Sequence, residues 1–183
     1  MKILLVFAIG LCLLMGCSTT HYNTPERIRN FEQVSTNLYR SGQIEYITQW
    51  QYVTNLGIFK AVKLNTVKEY DDSVAADYGV KIINVPLPPS NFWQLLSQPE
   101  EEQYFRALWI VKQSINNNEK ILVYCKHGED RTSLVIAGAE MYILKNKNKE
   151  EAYKDMKDHN FHVFCFGLNN FFFNLEDSPS YLK

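Results

Sequence analysis

Short apolar runs alternate with helix-like patterns along the chain from about residue 31 onward. A run of about four to eight apolar or alternating residues predicts a strand, whereas apolar residues spaced by three and four predict a helix. The predicted strands end at Leu38 and cover 58–64, 80–87 and 121–124, and the predicted helices cover 44–56, 71–78, 97–115, 132–141, 148–157 and part of 161–175. Because alternating strands and helices form a sheet covered on both faces, the pattern predicts an α/β domain with a central, mostly parallel sheet.

Two of the predicted helices carry sequence signals for their first turn. Ser97 and Glu100 have the spacing of a capping box, with Pro99 inside the first turn, and Asn148 with Glu151 repeats that spacing. We therefore expect one helix to open at Ser97 and another at Asn148.

The first 16 residues have the pattern of a bacterial export signal. Lys2 provides a positive charge, and the apolar segment 3–15 that follows is 13 residues long, too short to span a bilayer comfortably. The run Leu14-Met15-Gly16-Cys17 resembles the lipobox of bacterial lipoproteins, which implies that 1–16 is removed and that Cys17 carries lipid. Ser18 at the next position implies an outer-membrane lipoprotein facing the periplasm. An ordinary secretory signal and an N-terminal anchor helix are the alternatives.

Length and composition limit the rest of the chain to one ordinary domain. The chain has 183 residues, of which 46% are hydrophobic, and residues 17–30 are polar without a periodic apolar stripe. We therefore expect a tether at 17–30, which connects the membrane anchor to a single domain at 31–183. The net charge of −1 gives no indication of a nucleic-acid partner.

Cysteine usage singles out Cys125. Cys12 lies in the apolar export segment and Cys17 is the expected lipid site, so only Cys125 and Cys165 remain in the domain. Cys165 lies between two phenylalanines and is interpreted as a small core residue. A resolving thiol that pairs with Cys125 is the alternative.

The segment from Ile121 to Thr132 joins an apolar strand to a polar loop and the start of a helix. The loop consists of Cys125-Lys126-His127-Gly128-Glu129-Asp130-Arg131, with Cys and Arg six positions apart. Its backbone N–H groups, the helix N-terminus and the guanidinium would converge on a tetrahedral dianion. Such a field lowers the pKa of a cysteine thiol from about 8.5 to roughly 3.5–7.5. The loop therefore predicts an anion site with a nucleophile at its floor.

This loop resembles the phosphate-binding loop of the protein tyrosine phosphatase superfamily, most closely that of the atypical dual-specificity phosphatases of plants, fungi and bacteria. The segment Asn37-Leu38-Tyr39-Arg40-Ser41-Gly42-Gln43 is similar to the opening segment of that family. The resemblance implies the cysteine-phosphatase fold and a two-step hydrolysis of phosphate monoesters that needs no metal or other cofactor. Two positions depart from the family, with Tyr124 in place of the usual His before the nucleophile and Ser133 in place of the usual Gly after Arg-Thr.

The resemblance also implies roles for individual loop residues. Cys125 would attack phosphorus and form a phosphocysteine, Arg131 would hold phosphate oxygens, and Thr132 would donate a hydrogen bond to the sulfur as it leaves. The residues between Cys125 and Asp130 would contact the substrate, namely Lys126, His127, Gly128 and Glu129.

The acid that protonates the leaving group has no obvious place in the sequence. The stretch 87–96, which is interpreted as a lid, contains no carboxylate. Asp71 and Asp72 lie in a polar turn, where a solvated position is the default. Asp130 is favoured because it resembles the acid that myotubularin-type lipid phosphatases place directly before the loop Arg, with a loop charge that faces solvent as the alternative.

Lys126 and His127 favour a substrate with several phosphate groups, because both can contact a second phosphate at the mouth of the loop. The expected partner is a phosphorylated small molecule, lipid or protein, and the favoured substrates are inositol polyphosphates or phosphoinositides. A protein tyrosine or dual-specificity phosphatase and an inactive phosphate-binding module are the alternatives. Sulfurtransferases and arsenate reductases share the Cys-x5-Arg spacing, but neither explains the similarity at 39–43.

Overall fold

The computed structural model describes residues 28–66, 72–88 and 96–176. The export segment, the lipobox with Cys17, most of the predicted tether, Asp71 and most of the predicted lid lie outside the described residues. Among the helices within these ranges, none has the length and the apolar character that a bilayer span requires.

A five-stranded sheet forms the centre of the domain. Its strands are β1 (Glu32–Gln33), β2 (Leu38–Ser41), β3 (Lys60–Lys63), β4 (Lys81–Asn84) and β5 (Ile121–Tyr124). They lie in the order β1-β2-β5-β3-β4, and every pairing is parallel except that of β1 with β2. The predicted mostly parallel sheet is therefore confirmed, with β5 in its middle.

Helices cover both faces of this sheet. The helices are α1 (Ile47–Asn55), α2 (Glu101–Asn116), α3 (Asp130–Gly138), α4 (Lys149–Asp158) and α5 (Phe166–Asn174), with a 3₁₀ helix at Ser73–Tyr78 and a π-helical turn at Ala139–Leu144. On one face, α1 and the 3₁₀ helix pack on Tyr39, Leu122 and Tyr124. On the other face, α2 to α5 pack on Leu38 and Val123. This division follows from the alternation of side chains along each strand.

The two predicted helix starts have different outcomes. At Asn148 the capping box forms, because its side-chain oxygen accepts a bond from the Glu151 N–H at 2.9 Å and the Glu151 carboxylate accepts one from the Asn148 N–H at 2.9 Å. The start predicted at Ser97 is wrong, since α2 begins at Glu101. Helix α5 packs directly on the Ser97 segment, where a Cβ built on Gly167 would lie 2.1 Å from the Ser97 carbonyl oxygen. In place of the predicted first helical turn, the chain has an extended segment whose backbone contacts α5.

The structured domain begins earlier than the predicted boundary at residue 31. Ile28 is 7% exposed and packs in the core layer beside α1. The Arg29 carbonyl accepts a bond from the Gly42 N–H at 2.6 Å, and the Asn30 side chain donates to the His127 carbonyl at 2.8 Å. Residues 28–30, which the sequence assigned to the tether, therefore belong to the domain.

An ion-pair network joins the end of α4 to the edge strand β1. His159 caps α4 and contacts the Glu32 carboxylate through Nε2, while its Nδ1 lies 3.4 Å from the Asp155 carboxylate. The Asp155 side chain is the main cause that raises the pKa of His159 to about 9, and His159 in turn lowers the pKa of Asp155. His159 is therefore protonated in the folded protein at neutral pH.

This network predicts a pH-dependent contribution to stability. Because folding raises the pKa of His159 from 6.5 to about 9, its contribution is complete below pH 6.5 and disappears as pH rises through 9. We expect it to be about 1 kcal/mol after allowance for solvent screening, or about 2–4 °C in Tm. In thermal unfolding between pH 6 and 10, the Tm difference between wild type and His159→Gln should shrink as pH rises. A constant difference would contradict the assignment.

Candidate active site

The Cys-x5-Arg loop leaves the carboxyl end of β5, the central strand, and runs into α3. In the parallel register, Tyr124 of β5 lies opposite Ser41 of β2 and Lys63 of β3. The loop is therefore supported by the ends of both neighbouring strands. The carboxyl end of a central parallel strand is where ligands bind in α/β sheets.

Cys125 lies at the floor of this loop and is 3% exposed. The Gly128 N–H donates to its Sγ at 3.3 Å. Gly128 has φ +75°, and a Cβ there would lie 2.5 Å from the Gly42 nitrogen and 2.6 Å from the Ser41 carbonyl carbon. Only glycine fits this conformation and this close approach of two backbones. The similarity at Asn37–Gln43 thus corresponds to a strand end that supports the loop.

Arg131 and Thr132 occupy the first turn of α3 and are both buried. Arg131 Nη1 donates to the Leu64 carbonyl at 3.4 Å, which anchors the guanidinium beside the end of β3. Thr132 Oγ1 is buried and has no hydrogen-bond partner among the described residues. The structure therefore brings the thiol, the arginine and an unsatisfied hydroxyl together at a helix N-terminus, where backbone dipoles favour an anion.

The mouth of the loop carries two cations, Lys126 and Arg29, and the imidazole of His127. Lys126 is exposed, and the His127 side chain is 44% exposed. Burial is the main cause that lowers the pKa of His127, and the Arg29 and Lys126 charges lower it further. Arg29 binds the buried Glu129 carboxylate at 2.9 Å. We therefore expect Glu129 to contact a substrate through its backbone, since its side chain is engaged with Arg29.

A cavity of about 300 Å³ opens beside this mouth. Its lining combines charged, polar and aromatic side chains: Arg29, Gln43, Glu45, Tyr46, Gln49, Lys126 and His127. This volume is at the lower end of the range for small-molecule sites. The sequence did not indicate Arg29, because a polar segment without periodicity carries no signal of tertiary contact.

Asp130 is buried at the start of α3 but points to a neighbouring loop. Its Oδ1 accepts a bond from the His162 N–H at 2.8 Å and lies 3.0 Å from His162 Nδ1. The side chain of Asp130 is 6% exposed, whereas that of His162 is 56% exposed. The alternative of an Asp130 side chain that faces solvent is therefore wrong. His162 was not identified from the sequence, and only the fold brings it to the loop.

Asp72 is also buried, contrary to the solvated position expected for it. Its carboxylate forms an ion pair with Lys63 and accepts a bond from Gln43 Nε2. The Tyr124 ring packs edge-on against Trp50. Burial is the main cause that raises the pKa of Tyr124, and the Asp72 carboxylate raises it further. Lys63, Asp72, Gln43 and Tyr124 therefore form a polar cluster on the α1 side of the sheet.

Cys165 is 2% exposed and packs in the core between the sheet and helices α2 to α5, which confirms its interpretation as a core residue. It and Cys125 are both free thiols. Within the described ranges, no group of three or more His, Cys, Asp or Glu side chains is arranged to hold a metal ion.

No protein-family profile and no curated protein matches the sequence. Solved structures do match the fold. P. aeruginosa TpbA is 17% identical over 81% of this chain and 86% of its own, with a TM-score of 0.66. The core catalytic domain of the PP-IP phosphatase SIW14 from S. cerevisiae, in complex with citrate, is 20% identical over 79% and 86%, with a TM-score of 0.62. Kinase associated phosphatase is 14% identical over 82% and 93%, with a TM-score of 0.64.

The chain has the cysteine-phosphatase fold. This confirms the fold class expected from the loop and from the opening segment at Asn37–Gln43. In this fold, Cys125 directly follows β5 and Arg131 lies in the first turn of α3. Likeness at identities of this size shows the fold alone, and the activity of a protein depends on its site residues rather than on its fold.

Proposed function

We propose that the protein is a cysteine-dependent phosphomonoesterase that acts through a phosphocysteine intermediate. The observation that carries this proposal is the buried Cys125 sulfur, which lies under the Gly128 N–H in the loop that ends at Arg131. A thiol at a helix N-terminus beside a guanidinium is readily ionised and nucleophilic. The same N–H groups and guanidinium can hold the oxygens of a phosphate group.

The reaction would proceed in two displacements. In the first, the Cys125 sulfur forms a bond to phosphorus while the bond from phosphorus to the leaving oxygen breaks. In the second, a water oxygen attacks phosphorus, the bond from sulfur to phosphorus breaks, and inorganic phosphate leaves. The buried Thr132 hydroxyl, which has no partner among the described residues, is available to donate to the departing thiolate.

Asp130 is the proposed proton donor to the leaving oxygen in the first step and the proposed acceptor of the water proton in the second. Its burial directly before Arg131 supports this role. The His162 Nδ1 atom, which lies 3.0 Å from Asp130 Oδ1, supports it as well. A hydrogen-bonded imidazole beside the carboxyl group gives it a partner with which a proton can be shared. Asp72 is a weaker candidate, because its carboxylate is paired with Lys63.

We propose a substrate with several phosphates, namely an inositol polyphosphate or a phosphoinositide. The cavity beside the loop supports this choice, because Arg29, Lys126 and His127 line it next to the proposed phosphate cradle. A phosphate held over Cys125 would leave a second phosphate within reach of these side chains. Charge-assisted hydrogen bonds to such a group contribute about 1.5–3 kcal/mol each.

The direct test is phosphate release from a panel of phytate, phosphoinositides and phosphotyrosine peptides. We expect the highest kcat/KM on a substrate with several phosphates. Highest activity on the peptides would instead identify a protein tyrosine phosphatase. Absence of release from every member, with phosphate still bound, would identify an inactive phosphate-binding module.

Substitution of Lys126 should change selectivity more than turnover. Lys126→Ala is expected to lower kcat/KM about ten- to a hundredfold on phytate and much less on p-nitrophenyl phosphate, which carries no second phosphate. Arg29→Ala should change selectivity in the same direction. Lys154→Ala serves as the matched control, since the Lys154 side chain is 75% exposed and its ion-pair partner among the described residues is Asp158 of the same helix. Equal losses on both substrates would assign Lys126 to loop structure rather than to substrate recognition.

A further inference from the structure

Arg40 of β2 is a buried arginine directly behind the loop. It is 1% exposed, and its Nη2 donates to the Gly128 carbonyl at 2.9 Å and to Ser133 Oγ at 2.7 Å. One nitrogen thus joins the middle of the loop to the start of α3. A fully buried guanidinium is costly unless its surroundings use its charge or its hydrogen bonds.

The bond to Gly128 determines which way the loop backbone faces. In a trans peptide, the C=O and the next N–H point in opposite directions. Because Arg40 holds the Gly128 carbonyl on its side of the loop, the Glu129 N–H is directed to the opposite side. The preceding N–H, that of Gly128, donates to the Cys125 sulfur at 3.3 Å. Arg40 therefore orders the Gly128–Glu129 peptide, whereas the preceding peptide is held by Asn30, which donates to the His127 carbonyl at 2.8 Å.

The charge of Arg40 is only partly compensated. Its Nε and Nη1 have no hydrogen-bond partner among the described residues. Burial lowers the pKa of Arg40, whereas Asp155, Glu32, Cys125 and Glu140 raise it. An arginine stays protonated under such conditions. Gly128 joins the guanidinium to the sulfur, because its carbonyl accepts from Arg40 at 2.9 Å and its N–H donates to Cys125 at 3.3 Å.

The nearby carboxylates have cationic partners of their own. Lys147 binds Glu140 at 2.8 Å and Asp155 at 2.9 Å, and His159 contacts Glu32. Further charged or titratable groups lie on the loop and the first turn of α3, namely Lys126, His127, Glu129, Asp130 and Arg131. Beside them, Lys63 at the end of β3 is paired with Asp72, and His162 contacts Asp130. Tyr124 packs against Trp50 in the layer on the α1 side of the sheet. Arg40 is therefore a buried cation that binds the loop backbone from the β2 side.

We propose that Arg40 is a positioning residue, which fixes the Gly128 peptide and places a buried positive charge behind Cys125 so that the sulfur is held as a thiolate. Ser133 helps to position Arg40, because its hydroxyl is the second acceptor for Arg40 Nη2. The inference rests on the proposed function, since a stable thiolate matters only if Cys125 is a nucleophile.

The test is the pH dependence of Cys125 alkylation by iodoacetamide, followed by mass spectrometry of the peptide that contains Cys125. Loss of a nearby opposite charge raises the titration midpoint of an acid by about one unit or more. We expect Arg40→Met to raise the alkylation midpoint by about one pH unit, which is about tenfold in the thiolate fraction at lower pH. Arg40→Lys, which keeps the charge but not the planar fork, should keep a midpoint near wild type and lower kcat with little change in KM.

Arg106→Met, at an exposed position of α2, is the matched control and should titrate like wild type. A midpoint in Arg40→Met equal to that of wild type, or one in Arg40→Lys as high as in Arg40→Met, would overturn the proposal. If Arg40→Met does not fold, Ser133→Ala decides, because it leaves the guanidinium with one of its two acceptors. A Ser133→Ala variant unchanged in both midpoint and kcat would overturn the proposal as well.

Alkylation does not require turnover, so the two proposals fail separately. Wild-type protein that releases no phosphate from any substrate would refute the proposed function. A low alkylation midpoint that depends on Arg40 would still stand in that case as a property of the loop.

Discussion

Cys125→Ser is expected to abolish phosphate release while phosphate binding is retained. A serine hydroxyl has far too high a pKa for the field of the loop to ionise it, so the nucleophile is lost. The substitution nearly preserves side-chain volume at a site that is 3% exposed, and the Gly128 N–H can donate to an oxygen as it does to sulfur. Turnover would be measured as phosphate release, and binding by calorimetry with inorganic phosphate.

Cys165→Ser makes the same chemical change at the other free thiol and is the matched control. Cys165 is buried in the core at the start of α5 and is not one of the loop residues, so the substitution should lower the Tm and leave turnover in place well below that temperature. Appreciable turnover by Cys125→Ser would rule out a phosphocysteine intermediate.

Asp130→Asn is expected to lower kcat on phytate by about 10²–10⁴, the usual contribution of a general acid. An alkoxide leaving group needs a proton as its bond to phosphorus breaks, and an amide cannot provide it. The loss should be far smaller on an aryl phosphate with an activated leaving group, which can leave as an anion. Steady-state kcat on the two substrates is the measurement.

The structure supplies a control for this assignment. The control is His162→Ala, which removes the imidazole but keeps the backbone N–H that donates to Asp130. If Asp130 only anchors the His162 loop, Asp130→Asn should depress both substrates alike. Near-normal phytate turnover in Asp130→Asn, with a loss in Asp71→Asn or Asp72→Asn, would move the acid to the turn after β3.

The sequence predicted well those elements whose signals lie within a few residues of each other. The apolar pattern identified three of the four strands that pair in parallel: β5 has the predicted bounds, and β3 and β4 are shorter than predicted. The first strand was predicted to end at Leu38, which is where β2 begins. The capping box at Asn148 was also correct, because its two bonds join residues three positions apart. At Ser97 the same spacing failed, since the backbone of that segment packs against Gly167 of α5, seventy positions later.

The Cys-x5-Arg loop is predictable for the same reason. Cys125, Gly128, Arg131 and Thr132 follow one another within eight residues, so a strand, a tight turn and a helix place them close together along the chain. A glycine in the middle of a tight turn favours positive φ, which Gly128 has.

The sequence by itself determined the α/β class, the nature of the cradle and the candidate nucleophile. Only the tertiary structure decided what surrounds them: Arg29 at the mouth, Arg40 behind the loop, His162 beside Asp130, and Lys63 paired with Asp72. Apart from the last pair, these contacts join residues between 32 and 100 positions apart. The periodicity of apolar residues predicts which face of an element is buried. For a single polar residue, in contrast, nothing in the neighbouring sequence indicates which distant residue it contacts in the fold.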